Sequence, residues 1–213
     1  IIAGLRLRGK INNNLRIGLL NMQTSQDIEN EISAYNNSII TLQQKVFDRS
    51  NFNIFFINRE ATGENEYTEE NDKFNRVIGF DYNLRSNDSK WDGKYYFHRS
   101  YSPEENENSN SYGISTSYES RNFGFRAAGL YIGEDYRSDL GYIRRNDIIK
   151  LYPEISYTIW PEKSKFLNHR FELTPVFPPI EESTWASKVV GILIKFIPLL
   201  KTLAINPETS PVI

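Results

Sequence analysis

Cysteine is absent from all 213 residues, which excludes a disulfide framework and any thiolate-ligated metal centre. Histidine is scarce: His98 and His169 stand far apart with no ligand partner at metal spacing, so no metal site is expected. An excess of one charge sign is missing too, because 25 Lys and Arg face 27 Asp and Glu. A net charge of -2 offers no basic field of the kind that draws nucleic acid. Long apolar runs are missing before residue 184, which excludes a membrane helix there. No GxSxG, Walker motif or nucleotide-binding glycine loop occurs. "RSNDSKWDG" (85–93) has the polar density of a calcium loop but lacks its spacing and its twelfth-position Glu. The chain is therefore expected not to be an enzyme, with no catalytic, cofactor-binding or metal-binding residue and no cofactor.

Aliphatic residues are also few, and aromatics are many. Hydrophobic residues total 39%, low for a compact core of this size, while 13 Tyr and 13 Phe help raise aromatics to 14%. That balance suits half-polar strands better than helices. "FNRVIGFDYNLR" (74–85) puts Phe74, Ile78, Phe80, Tyr82 and Leu84 on one face, with Arg76 among them. Asn75, Val77, Gly79, Asp81, Asn83 and Arg85 fall on the other. Similar alternation recurs in "IAGLRLR", "LRIGLLNMQT", "SIITLQQKVF", "FNIFFINRE", "KYYFHRSY", "YGISTSYES", "FGFRAAGLYIG", "LYPEISYTIW" and "FLNHRFELTPVF". About ten strands are expected, joined alternately by short turns and long polar loops. "SQDIENEISAYNN" (25–37), "ATGENEYTEENDK" (61–73) and "SPEENENSNS" (102–111) read as such loops, and "SNDSKWDG" (86–93) as a turn.

In a water-soluble sheet the apolar face is the core; in a membrane barrel it meets lipid. The polar faces here carry Gly, Ser, Asn, Asp and Arg, which suit a hydrated interior. Tyr82, Tyr95, Tyr101, Tyr112, Tyr118 and Tyr131 fall toward strand ends, where amphipathic rings favour the headgroup level. Arg76 and Arg99 on the apolar face count against a barrel, because a mid-bilayer cation costs about 2–4 kcal/mol. The acidic residues Asp88 and Asp92 flank a turn, where Asp stabilises the backbone locally. Ile1 opens directly into a strand pattern with no initiator Met and no secretory leader, so an internal piece of a longer protein is expected.

"NRVIGFDYNLRSNDSKWDGKYYFHRSYSP" (75–103) resembles the corresponding stretch of domain-of-unknown-function family 5916. "AGLRLRGKINNNLRIGLLNMQT" (3–24) is similar to the family's Gly-Lys hairpin, and "QQKVFDRSNFNIFFINRE" (43–60) also fits. "YIGEDYRSDLGYIRRNDIIKLYP" (131–153) resembles its Gly-aromatic-aliphatic-x-Arg-x-Asp segment, carried by Gly141, Tyr142, Ile143, Arg145 and Asp147. The resemblance implies an outer-membrane β-barrel of a Gram-negative envelope. It also implies a preceding carbohydrate-binding-module-family-9-like domain, whose ligand residues carry over to no position here. No catalytic residue is implied.

The expected fold is all-β: an antiparallel transmembrane β-barrel, or a large part of one, over residues 1–178. Residues 179–213 form an apolar segment outside the resemblance, expected to be a helix or a buried strand, "VVGILIKF"; as an amphipathic helix it carries Lys188, Lys195 and Lys201 on one stripe and a kink at Pro198. The interior candidates, placed by parity, are Arg6, Arg8, Arg16, Asp81, Asn83, Arg85 and Arg126. The expected work is transport, docking or assembly in the outer membrane, with lipid and an envelope protein or polysaccharide as partners and no nucleic acid. Two alternatives stay open on the residues. One is a soluble carbohydrate-binding or hydrolase-associated β-domain using Trp91 and Trp160. The other is a structural subunit whose long edge another chain covers.

Overall fold

A computed structural model describes residues 1–63, 68–104, 107–163 and 165–177. They form one antiparallel sheet of ten strands in sequence order. The strands are β1 (Ala3–Lys10), β2 (Leu15–Gln23), β3 (Tyr35–Val46), β4 (Ser50–Ala61) and β5 (Phe74–Arg85), then β6 (Trp91–Tyr101), β7 (Asn110–Glu119), β8 (Phe123–Ile132), β9 (Ile148–Ile159) and β10 (His169–Leu173). Among the described residues the only helical element is the 3-10 turn Glu70–Asp72, within the acidic loop, and no helix is long and apolar enough to cross a membrane. Among those residues, too, β1 pairs only with β2 and β10 only with β9, so the sheet is open at both edges. The C-terminal segment 179–213, expected to be a helix or a strand, lies outside the described residues.

Every pairing holds one register from end to end, without a bulge. Directly paired residues in an antiparallel sheet share a face, so the parity of each strand is locked to its neighbours. One face collects Leu5, Ile17, Ile40, Ile54, Phe80, Phe97, Ile114, Phe125, Leu151 and Phe171. The other carries the row Arg8, Gly18, Thr41, Phe55, Gly79, His98, Ser111, Ile132 and Ile148. The burial is inverted relative to a soluble sheet: Ile78 is 47% and Phe80 45% exposed, whereas Asn75 and Val77 on the polar face are 1% exposed. That row begins near the turn end of β1 and finishes at the first residue of β9, so successive strands climb past one another as in a tilted, sheared sheet.

The connections sort by end. Four connections at one end, 11–14, 47–49, 86–90 and 120–122, are tight turns, and β9 is joined to β10 at the same end across 160–168. At the other end the strands are joined across 24–34, 62–73, 102–109 and 133–147, each longer than any of the four tight turns. Several boundaries differ from expectation, among them Ala61 in β4, Asn110–Ser111 in β7 and the start of β9 at Ile148. Tyr35–Asn37 join β3 although Asn-Asn favours turns, because their partners Ala61, Glu60 and Arg59 offer a ladder. Trp91–Gly93 belong to β6 and not to the turn, since they pair with Leu84 and Arg85 on one side and with Thr116, Ser117 and Tyr118 on the other. The last strand shrinks to His169–Leu173.

Gly79 shows how the polar face packs. It lies between Phe55 and His98 across the ladder, and a Cβ there would overlap both rings, which meet edge-on at 4.9 Å. Gly79→Val is expected to destabilise the sheet by about 1–3 kcal/mol through overpacking. Urea unfolding followed by tryptophan fluorescence measures it, and a variant as stable as the parent defeats this account of the packing.

Candidate functional site

The register brings Arg6, Arg8, Arg16, Asp81, Asn83, Arg85 and Arg126 to the same face. It puts Tyr82, Tyr95, Tyr101, Tyr112, Tyr118 and Tyr131 on the opposite, apolar face. There, Tyr112 stacks on Tyr131 at 4.6 Å near the long loops, and Trp91 meets Tyr118 at 5.0 Å near the tight turns. Arg76 and Arg99 lie on this face near the long-loop end. Arg76 Nε donates to Asn58 Oδ1 at 2.9 Å and its guanidinium covers the Phe74 ring, while Arg99 lies over Tyr101. Both cations therefore sit at a rim, supported by polar or aromatic neighbours.

The polar face has two regions. At the long-loop end, residues 133–147 fold onto it. This segment contains the Gly-aromatic-aliphatic residues of the family resemblance. Asn75 brackets it as a backbone would: its amide nitrogen donates to the Arg137 carbonyl at 3.1 Å, and its oxygen accepts from the Asp139 N–H at 3.0 Å. Arg137 N–H donates to Ser100 Oγ at 3.1 Å. Asp139 accepts from Arg59 Nη1 and from Arg137 Nε, each at 2.6 Å. Arg137 also reaches Asp72 at 2.5 Å and the Asn71 carbonyl at 3.1 Å. Burial alone would lower the Arg137 pKa, but the hydrogen bonds and charges of Asp72 and Asp139 outweigh it and raise it. Arg59 further lies over the Tyr35 ring, 3.6 Å from its centroid. Asn146 closes the loop on itself by donating to the Glu134 and Tyr136 carbonyls.

Below this clamp, Tyr136 is buried, and its phenol is pushed up to about 12, first by burial and then by Tyr96 and Asp81. The sign follows from the ordinary value of 10.0: the folded protein holds the proton longer than the unfolded chain does. Loop closure is at full strength below pH 10, weakens above it and is lost as pH rises through about 12. The effect is on the order of 2 kcal/mol. An absorbance titration of the phenolate band, with Tyr136→Phe subtracted, should reveal one group ionising near 12; a midpoint near 10 rejects the buried placement.

His98 Nε2 donates to Asp81 Oδ1 at 2.8 Å, a diagonal pair across β5 and β6. The His98 ring also lies 4.8 Å from Tyr96 and is packed against Phe55. Asp81 is thereby committed to a structural partner. Asn83 Nδ2 donates to Asn51 Oδ1 at 3.0 Å, and Arg126 faces Glu154 at 3.8 Å. Sequence reasoning set Asn75 on the polar face by parity but did not single out Arg59, Tyr136 or Arg137. The clamp joins residues more than 60 positions apart, so no local spacing signals it. It also did not single out Lys10 and Lys45, although Lys10 shares the parity of Arg6 and Arg8 and could have been found by it.

No curated protein and no solved structure matches the chain. Residues 1–184 match the family described as Domain of unknown function (DUF5916), and the chain therefore belongs to that family.

Proposed function

We propose that this sheet is the wall of a transmembrane β-barrel in the Gram-negative outer membrane, a non-enzymatic protein that serves transport, docking or assembly. The observation that carries the reading is the inverted burial of the continuous ten-stranded register, with apolar side chains outward and amides, charges and glycines inward. Strand length supports it, since β2 to β9 run 9 to 12 residues, enough to cross a bilayer at a tilt. So do the four tight turns at one end, each shorter than every connection at the other, with the β9–β10 connection as the exception. In this reading β1 and β10, whose outer edges carry no partner among the described residues, complete their ladders with further strands or with each other. The polar face lines the lumen, and the 133–147 loop narrows its long-loop mouth.

The test is partition of the purified chain into detergent or lipid, with gel mobility compared before and after boiling. A barrel needs detergent and migrates differently unheated. A chain that stays soluble and monomeric without detergent sinks the reading and restores the soluble carbohydrate-binding domain.

A further inference from the structure

Toward the tight-turn end, the polar face changes character. Arg6, Arg8 and Lys10 follow one another on β1 with the same parity, and Lys10 is directly opposite Arg16 on β2. Like charges directly opposed across a ladder destabilise it. Among the described residues, none of these four has an acidic partner within ion-pair distance. They line a trough of about 890 Å³ whose one carboxylate is Asp81, already hydrogen-bonded to His98. Gly18, paired with Arg8 and Thr41, leaves the floor of the trough low. A neighbouring hollow of about 450 Å³ shares Arg16 and adds Lys45, Arg49 and Arg85. Its one carboxylate, Asp48, is engaged by the Asn87 amide at 2.5 Å. Amide groups of Gln43, Asn51 and Asn53 lie between the cations. The long loops at the opposite end are instead rich in acids, among them Asp27, Glu29, Glu31, Glu69, Glu70, Glu134 and Asp135.

We infer that this trough is a binding site for a small oligoanion bearing phosphate or carboxylate groups, entered from the tight-turn end. Several guanidinium and ammonium groups converge on one concave surface, and both nearby carboxylates are spent on other partners. An anion bridging Lys10 and Arg16 converts their mutual repulsion into two charge-assisted contacts. The flanking amides supply donors and acceptors for the hydroxyl or oxo groups between the charges. The acidic loops repel an anion from the far end, so the field directs it inward from the turns. The inference rests on the polar face alone and does not need a closed barrel.

The experiment is calorimetric titration of the folded chain in neutral detergent at low salt, using tripolyphosphate and citrate as separate arms. Saturable binding by either probe is expected, weakening as salt is raised. Arg8→Gln and Arg16→Gln should each weaken it about tenfold, whereas Lys90→Gln, in a turn beside Asp88, leaves it unchanged. Circular dichroism establishes that each variant is folded. Binding by tripolyphosphate alone identifies phosphate chemistry, and binding by both identifies general oligoanion recognition. No binding by either probe overturns the inference. So does an equal loss in Lys90→Gln, which marks a diffuse charge effect, or binding of polyglutamate but of neither probe, which marks an acidic-protein surface. Detergent dependence is read separately, so failure of the barrel reading and failure of this site remain distinguishable.

Discussion

Asp139→Ala is expected to free the 133–147 loop from the polar face. Asp139 is the hub of the clamp: its side chain is 11% exposed and takes hydrogen bonds from two arginines on different elements. Truncation leaves the Arg59 and Arg137 guanidinium groups facing each other with no anion between them. Removing one partner of a fully buried pair costs about 3–5 kcal/mol. Arg59 keeps its stacking on Tyr35, Arg137 keeps Asp72, and both are partly solvated, so about 2–3 kcal/mol is expected here. The population of open loop then rises about 30- to 150-fold. Hydrogen exchange in detergent reads this directly, with amides of 133–147 losing protection while those of β3 and β4 keep theirs. Asp27→Ala, in a different long loop and held by Asn30, is the matched control and leaves the 133–147 amides unchanged. Unchanged protection in Asp139→Ala would mean that the Asn75 bracket holds the loop by itself.

Strand parity was legible because a period of two survives in sequence wherever one face is apolar. Phe74 to Arg85 and Tyr112 to Glu119 separate cleanly into two sets, and the structure keeps both sets. The sign of the burial was not legible from pattern alone, since the same alternation serves a soluble sheet. Turn chemistry misled at Trp91–Gly93, where an Asp-Gly pair reads as a turn but the ladder from Leu84 to Thr116 captures it. Asn36 and Asn37 read as loop for the same reason, yet Asn36, Asn21 and Ser38 bond to one another side by side. The clamp lay beyond sequence reasoning. Asn75, Ser100, Arg137 and Asp139 come together only after five strands set the register and the loop turns back. The Asp81–His98 pair is similar: its members are 17 apart, and only the β5–β6 offset makes them diagonal neighbours. Parity found Arg6, Arg8 and Arg16 of the trough but left out Lys10, and their lack of carboxylate partners required knowing where every acid went.

Phe80→Arg should discriminate most sharply between a lipid-facing and a water-facing apolar surface. Phe80 lies mid-strand in β5, opposite Ile54 on one side and Phe97 on the other, 45% exposed and stacked on Phe52 at 6.1 Å. If lipid covers this face, a guanidinium there is held near the middle of the hydrocarbon and costs about 2–4 kcal/mol. At Tyr101, the last residue of β6 on the same face, the same substitution costs about 0–1 kcal/mol, because the side chain reaches the headgroups. The native sequence already follows this depth rule, with Arg76 and Arg99 near the long-loop end and none between Ile78 and Tyr82 on β5. Phe80→Ser measures the packing lost with the ring, so the difference between Arg and Ser at this position isolates the charge. Urea unfolding in phosphatidylcholine vesicles gives both numbers. A water-exposed face predicts changes within about 0.5 kcal/mol for the charge at either depth. A flat depth profile therefore removes lipid from the outer face, and a steep one makes the inverted burial of this sheet a consequence of its solvent.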